Sequence, residues 1–220
     1  MSENHVYYLY LEYASALSIC VPLIVVFIFK KYLKSHFTVL FYLIFADLLS
    51  EITSYYFYKY NLNNLFIFRS YTIIQFTLLS IFYVKVLSPS KITGYIKGFI
   101  FVFFAVAVLD LYLHGIKTMD DLSLSTASIL LILYSLFTFF QIMQNQAHLN
   151  ILSEPLFWFN TAVLIYFSGG LFLFIFNTYV FKHSTKMHNE LWGSVNSVLN
   201  IIFNLLLATG FWKTKHRQIS

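Results

Sequence analysis

The sequence predicts an all-α integral membrane protein, seven transmembrane helices in a single helical bundle, and three observations carry that prediction. Hydrophobic residues fill 59% of the 220 positions and charged residues only 10%, a balance outside the range of soluble domains. Mean hydropathy is +0.72. Seven largely apolar runs, each near the ~20 residues a helix needs to cross a bilayer, are separated by short polar connections, so sequence neighbours are expected to pack antiparallel. No stretch between them is long enough to bury a core of its own, so residues 1–220 are read as one transmembrane domain in contact with lipid.

The runs lie at about 6–29, 37–58, 65–87, 95–114, 125–144, 155–181 and 190–213. The first follows MSENHVYY, which lacks a basic leader region, and no small-residue cleavage pattern comes after it. It is therefore expected to be a retained helix. Cys20, the only cysteine, falls inside this run, which leaves no disulfide and no cysteine metal site.

Helix two places Asp47, Ser50, Glu51 and Ser54 on one face at i, i+3, i+4 and i+7. Asp47 lies ~15 Å along from Phe37, near the middle of a hydrocarbon core about 30 Å thick. A lone acid there costs about 2.5–3.5 kcal/mol on insertion scales, so it must face the bundle, hold a proton or find a partner. It is read either as a proton, cation or ligand site or as a buried acid bonded to neighbouring helices. Helix three supplies Arg69, followed by Thr72 and Gln75. With Glu12 on helix one and Glu51 at comparable depth, the expectation is a Glu12, Glu51 and Arg69 cluster that fixes three helices; the alternative is that Arg69 snorkels to the headgroups.

Asp110 in helix four, and Gln141 and Gln144 in helix five, read as ordinary polarity near helix ends. Helix six starts at Ser153, Glu154 and Pro155, where the serine is placed to cap and the proline fits the first turn. It continues through Asn160 to Ser168, Gly169 and Gly170, a point of close helix approach. Helix seven carries Gly193, Ser197, Asn200, Asn204 and Ala208 on one narrow stripe, with Asn196 at its margin. Small residues let a neighbouring backbone come near, and the amides bond across the gap. The stripe is expected to be one wall of a polar interior whose other walls are Asp47, Glu51 and Arg69.

With the N-terminus outside, the inner ends hold Lys30, Lys31, Lys34, Lys85, Lys91, Lys97, Lys213, Lys215 and Arg217, against Lys59, Arg69, Lys117, Lys182 and Lys186 outside. Nine against five favours an N-out, C-in orientation. The net charge of +5 is thus explained by topology, and direct nucleic-acid binding is not expected. His114, His148, His183, His188 and His216 fall at helix ends or in loops, so no intramembrane metal site and no cofactor is read from them. His183 and His188 are expected in one solvated outer loop.

The run EPLFWFNTAVLIYFSGGLFLFIF, with SVLNIIFNLLLATGFWK, resembles an uncharacterised family of small multi-pass membrane proteins of Bacteroidetes that are often found near sensor histidine kinases. Glu154, Pro155, Phe157, Trp158, Asn160, Tyr166, Asn200 and Asn204 carry the resemblance over the last third of the chain. It implies a bacterial inner-membrane location and a signalling context, with a histidine kinase as a candidate partner and no mechanism. On size and style alone, the chain is also similar to membrane accessories of type VI-B CRISPR systems, which implies an RNA-targeting effector as a partner and a role in antiviral defence.

Residue patterns exclude several reactions. Between Leu191 and Trp212 there is no lysine for a retinal Schiff base, and the apolar runs offer no buried histidine to serve as a hydrolase base and no histidine set for intramembrane zinc. No catalytic residue is assigned. Two function classes remain: a non-enzymatic regulatory or receptor-like module acting through a partner protein, and a small transporter or pore for protons, cations or a polar solute lined by Asp47, Glu51 and the asparagines. Exposed Phe and Tyr suit lipid as well as a second copy, so oligomeric state stays open.

Overall fold

A computed structural model describes residues 3–29, 36–87, 91–145 and 150–219. These residues are almost wholly helical, and no strand occurs among them. Seven stretches are long and apolar enough to cross a membrane: Tyr7–Phe29, Thr38–Lys59, Leu65–Val86, Ile92–His114, Asp121–Gln144, Pro155–His183 and Lys186–Lys215. Each coincides with one of the seven runs, and the last begins a turn earlier than its apolar residues alone suggest. Lys30, Lys31, Lys34 and His148, used above for orientation or as candidate ligands, lie outside the described residues.

Contacts group the helices into two compact units, Lys34–Tyr134 and Met1–Leu33 with Ser135–Ser220. In the first unit, α3 (Thr38–Lys59) and α4 (Leu65–Val86) form a hairpin. Its turn uses Asn61 at φ 54°, a left-handed conformation that asparagine adopts more readily than most residues. The Asn64 side chain donates to Ser54 Oγ at 2.8 Å, tying the end of α3 to the start of α4. α5 (Lys91–His114) and the first part of α6 (Asp121–Asn145) complete the unit. Its core is aromatic: Phe76 stacks on Phe103 at 3.9 Å and Tyr83 meets Tyr134 edge-on at 5.7 Å.

In the second unit the first span is broken at Ile19 into α1 (Glu3–Ser18) and α2 (Cys20–Phe29). Pro22 is the cause, because it has no N–H for the Ser18 carbonyl and its ring crowds that carbonyl. α7 (Pro155–His183) runs beside α9 (Ser197–Ile219). Glycines set how closely the two approach: a Cβ at Gly169 would lie 2.7 Å from Leu199 Cδ2, and one at Gly210 only 2.6 Å from the Phe159 ring. The close approach expected at Gly169 is thus present, and its neighbour is α9. Pro155 takes the first turn of α7 as expected. Ser153 does not cap that helix; it sits in a short 3₁₀ turn, Ile151–Ser153, and donates to Asn150 O at 2.6 Å. Between α7 and α9 lie α8 (Thr185–Leu191) and a π-helical turn at Trp192–Asn196.

Candidate functional site

The strongest concentration of charge is at one end of the Lys34–Tyr134 unit, where α4, α5 and α6 meet the 115–120 connection. Gly115 adopts φ 79°, the left-handed conformation that ends α5, and the Thr118 hydroxyl donates back to the carbonyls of His114 (2.9 Å) and Gly115 (3.0 Å). This tight turn points the Thr118 and Met119 carbonyls inward. Arg69, near the start of α4 and 5% exposed, takes them: Nη2 donates to Met119 O at 3.0 Å and to Thr118 O at 3.4 Å, with Thr118 Oγ1 at 3.5 Å. Its other terminal nitrogen, Nη1, lies 3.2 Å from Asp110 Oδ2.

Asp110 is the hub. It is fully buried, and besides Arg69 it accepts from the Ser123 backbone N–H (3.2 Å) and hydroxyl (2.6 Å), while His114 Nδ1 lies 2.8 Å from its Oδ1. Ser123 is the third residue of α6, so Asp110 caps that helix from a neighbouring one, satisfying an amide that has no partner within α6. Ser123, Asp110 and His114 are triad residue types in the wrong order. The carboxylate stands between the other two, so the imidazole does not activate the hydroxyl.

Two sequence expectations are corrected here. Arg69 pairs with Asp110, in place of the expected cluster with Glu12 and Glu51. The reason is that a buried guanidinium needs several acceptors at once, and the turn after α5 supplies two carbonyls beside a carboxylate. Asp110, read as ordinary polarity near a helix end, is the most fully buried acid of the unit. Glu51 remains on α3 one turn beyond Asp47, both half-buried. The Tyr71 hydroxyl bonds to Asp47 and accepts from Gln75 Nε2 at 3.1 Å. Gln75 therefore lies in the second polar group of this unit. Glu12 belongs to the other unit, where its carboxylate approaches Gly193 so closely that a Cβ there would come within 2.8 Å of Oε1.

The helix-seven stripe has partners that the sequence reading missed. Asn200 Nδ2 donates to Ser15 Oγ at 2.9 Å and Asn204 Nδ2 to Ser18 Oγ at 2.8 Å, while the Ser18 hydroxyl donates to Ser15 O at 2.6 Å. The helix that bonds these asparagines is α1, while Asp47, Glu51 and Arg69, expected opposite them, belong to the Lys34–Tyr134 unit. Ser15 and Ser18, three residues apart and just before Pro22, were the available signal. Asn196 sits half-buried in the π turn. Asn160 on α7 makes a reciprocal pair with Ser135 on α6, its Nδ2 donating to Ser135 O (3.0 Å) and the Ser135 hydroxyl to Asn160 O (3.1 Å).

A third polar point was not foreseen. Asn177 Oδ1 lies 2.8 Å from His188 Nε2 and accepts from Trp192 Nε1, also at 2.8 Å. His188 is thus held against α7 by α8, where a solvated loop was expected. Of the residues carrying the family resemblance, Glu154 and Pro155 are buried, Phe157 packs edge-on to Phe139 at 5.7 Å, Trp158 Nε1 donates to Leu152 O at 2.9 Å and Tyr166 packs on Phe203 at 5.2 Å. These are packing roles. Among the described residues no group of three or more histidine, cysteine or acidic side chains is arranged to hold a metal.

No family model, curated protein or solved structure matches this chain. Function is therefore argued from these polar arrangements and the seven apolar helices.

Proposed function

We propose that the chain is a multi-pass protein of the bacterial inner membrane, oriented N-out and C-in, that acts as a non-enzymatic regulatory or receptor-like module through a partner protein. The observation that carries this reading is that several polar side chains inside each unit find a side-chain or backbone partner on a neighbouring helix. Arg69 is matched to Asp110, Asn200 and Asn204 to Ser15 and Ser18, and Asn160 to Ser135. Paired groups of this kind fix helix packing. A histidine kinase or an RNA-targeting CRISPR effector is the partner suggested by the resemblances above. The test is co-expression with the soluble protein encoded beside this one: the reading expects a complex that survives purification from native membranes, and a chain recovered without that protein counts against it.

A transport reading has one observation in its favour, the line of half-buried Asp47 and Tyr71 and buried Gln75 between α3 and α4. Proteoliposome flux decides it. Transport requires proton or cation flux that falls on Asp47→Asn; the regulatory reading predicts none above empty vesicles.

A further inference from the structure

A cleft opens where the end of α7 meets α8 and the π turn, within the unit formed by Met1–Leu33 and Ser135–Ser220. We propose that it is a lipid site, holding one acyl chain of an anionic phospholipid with that chain's ester carbonyl on the Asn177 amide and the phosphate at Lys182. The proposal goes beyond the regulatory reading and is independent of any protein partner.

The sides of the cleft are apolar, with Phe172, Phe176 and Val180 from α7 and Met187 and Leu191 from α8. Its back is fixed. Trp192, the first residue of the π turn, packs on both Phe174 (ring centroids 6.1 Å) and His188 (6.0 Å), and single π turns of this kind occur frequently at functional sites. The polar anchor is Asn177, 7% exposed. An indole N–H only donates, so the Asn177 atom 2.8 Å from Trp192 Nε1 is the oxygen. That oxygen in turn obliges His188 Nε2, also at 2.8 Å, to carry a proton and donate it. Asn177 Nδ2 makes no hydrogen bond among the described residues, so what this side chain offers the cleft is an N–H donor.

Size, position and charge select the occupant. The interior of the cleft measures about 40 Å³, against about 10–15 Å³ for a single water, so a linear chain enters and a ring system does not. Phe172, Phe176 and Met187 are exposed and belong to segments apolar enough to cross a membrane, which opens the cleft to acyl chains. Asn177 lies five residues before Lys182, ~7.5 Å along the helix. With Lys182 among the headgroups, that drop matches an interfacial layer of about 5–7.5 Å on each side of the hydrocarbon and puts the amide level with the ester carbonyls. At the same end α7 carries Lys182 and α8 carries Lys186, both exposed, against one acid, Glu190. The excess is positive, which favours an anionic lipid over a zwitterionic one.

Native mass spectrometry of the unsubstituted full chain, supplied with equal amounts of phosphatidylglycerol and phosphatidylcholine, is expected to show one phosphatidylglycerol retained. Ether-linked phosphatidylglycerol, which has no carbonyl for Asn177, should compete poorly. Val180→Phe fills the cleft and should lose the lipid, and Lys182→Gln should lower the preference for phosphatidylglycerol about fivefold, the contribution of one basic residue at an anionic surface. Retention of neither lipid, equal retention of both, equal competition by the ether lipid, or a lipid-free dimer in which a second copy covers this face overturns the proposal. Because a misfolded Val180→Phe also loses lipid, the open cleft is probed directly. In protein carrying Trp158→Phe and Trp212→Phe, brominated acyl chains on phosphatidylglycerol should quench Trp192 fluorescence more than the same chains on phosphatidylcholine, and equal quenching overturns the proposal.

Discussion

The two units solve the problem of polar groups among apolar helices in different ways. The Lys34–Tyr134 unit uses charge, with Arg69 and Asp110 in contact at a helix end. The other unit uses neutral amides and hydroxyls within its spans, Asn200 and Asn204 on Ser15 and Ser18. Position explains the choice. Inside a helix each backbone N–H and C=O is already bonded to its neighbour four residues away, so a polar side chain finds either another side chain or the second lone pair of a carbonyl, as Asn160 and Ser135 do. At a helix end the turn offers free carbonyls and amides, and a buried guanidinium or carboxylate can collect the several partners it needs. Charge is therefore tolerated where the 115–120 turn and the start of α6 supply Met119 O, Thr118 O and Ser123 N–H.

Breaking each arrangement in turn grades the difference. Arg69→Met strands Asp110 in the interior, and removing one partner of a buried pair costs about 3–5 kcal/mol. Thermal unfolding in detergent should show this as the largest loss of any single substitution in either unit. Gly210→Ala comes next, about 1–3 kcal/mol by overpacking, since its new methyl would meet the Phe159 ring at 2.6 Å. Gly169→Ala should cost less, because Leu199 Cδ2 is the end of a flexible side chain. Smallest is Asn204→Leu: interhelical bonds in membranes average about 0.6 kcal/mol with a maximum near 1.7, and Asn204 Oδ1 is already unbonded. An Asn204→Leu loss as large as that of Arg69→Met would erase the distinction between the units.

The seven spans were legible because hydropathy over a window of about twenty residues needs no tertiary information. The π turn and the break at Ile19 were not. Pro22 sits inside an unbroken apolar run, and only the missing bond to Ser18 shows where the helix yields. Site residues were found by type more readily than by partner. Asp47, Arg69 and the asparagines stood out as polar residues in apolar surroundings, but depth along a helix does not say which way a side chain turns. Asp110 was overlooked because it is four residues from the end of α5, where polarity is commonplace. Asn177 was overlooked because one of its partners, His188, comes from a segment that reads as loop, and the other, Trp192, from the very start of the last run.

A double-mutant cycle on Arg69 and Asp110 tests the central claim that one buried charge pair organises the end of the Lys34–Tyr134 unit. Asp110→Asn keeps an acceptor for Ser123 while removing the anion, and Arg69→Met removes the cation. Measured by thermal unfolding in the same detergent, each single variant should lose several kcal/mol, and the double variant should regain much of that loss because no unpaired charge remains buried. Losses that simply add would contradict the account, for they would mean that Arg69 and Asp110 act independently.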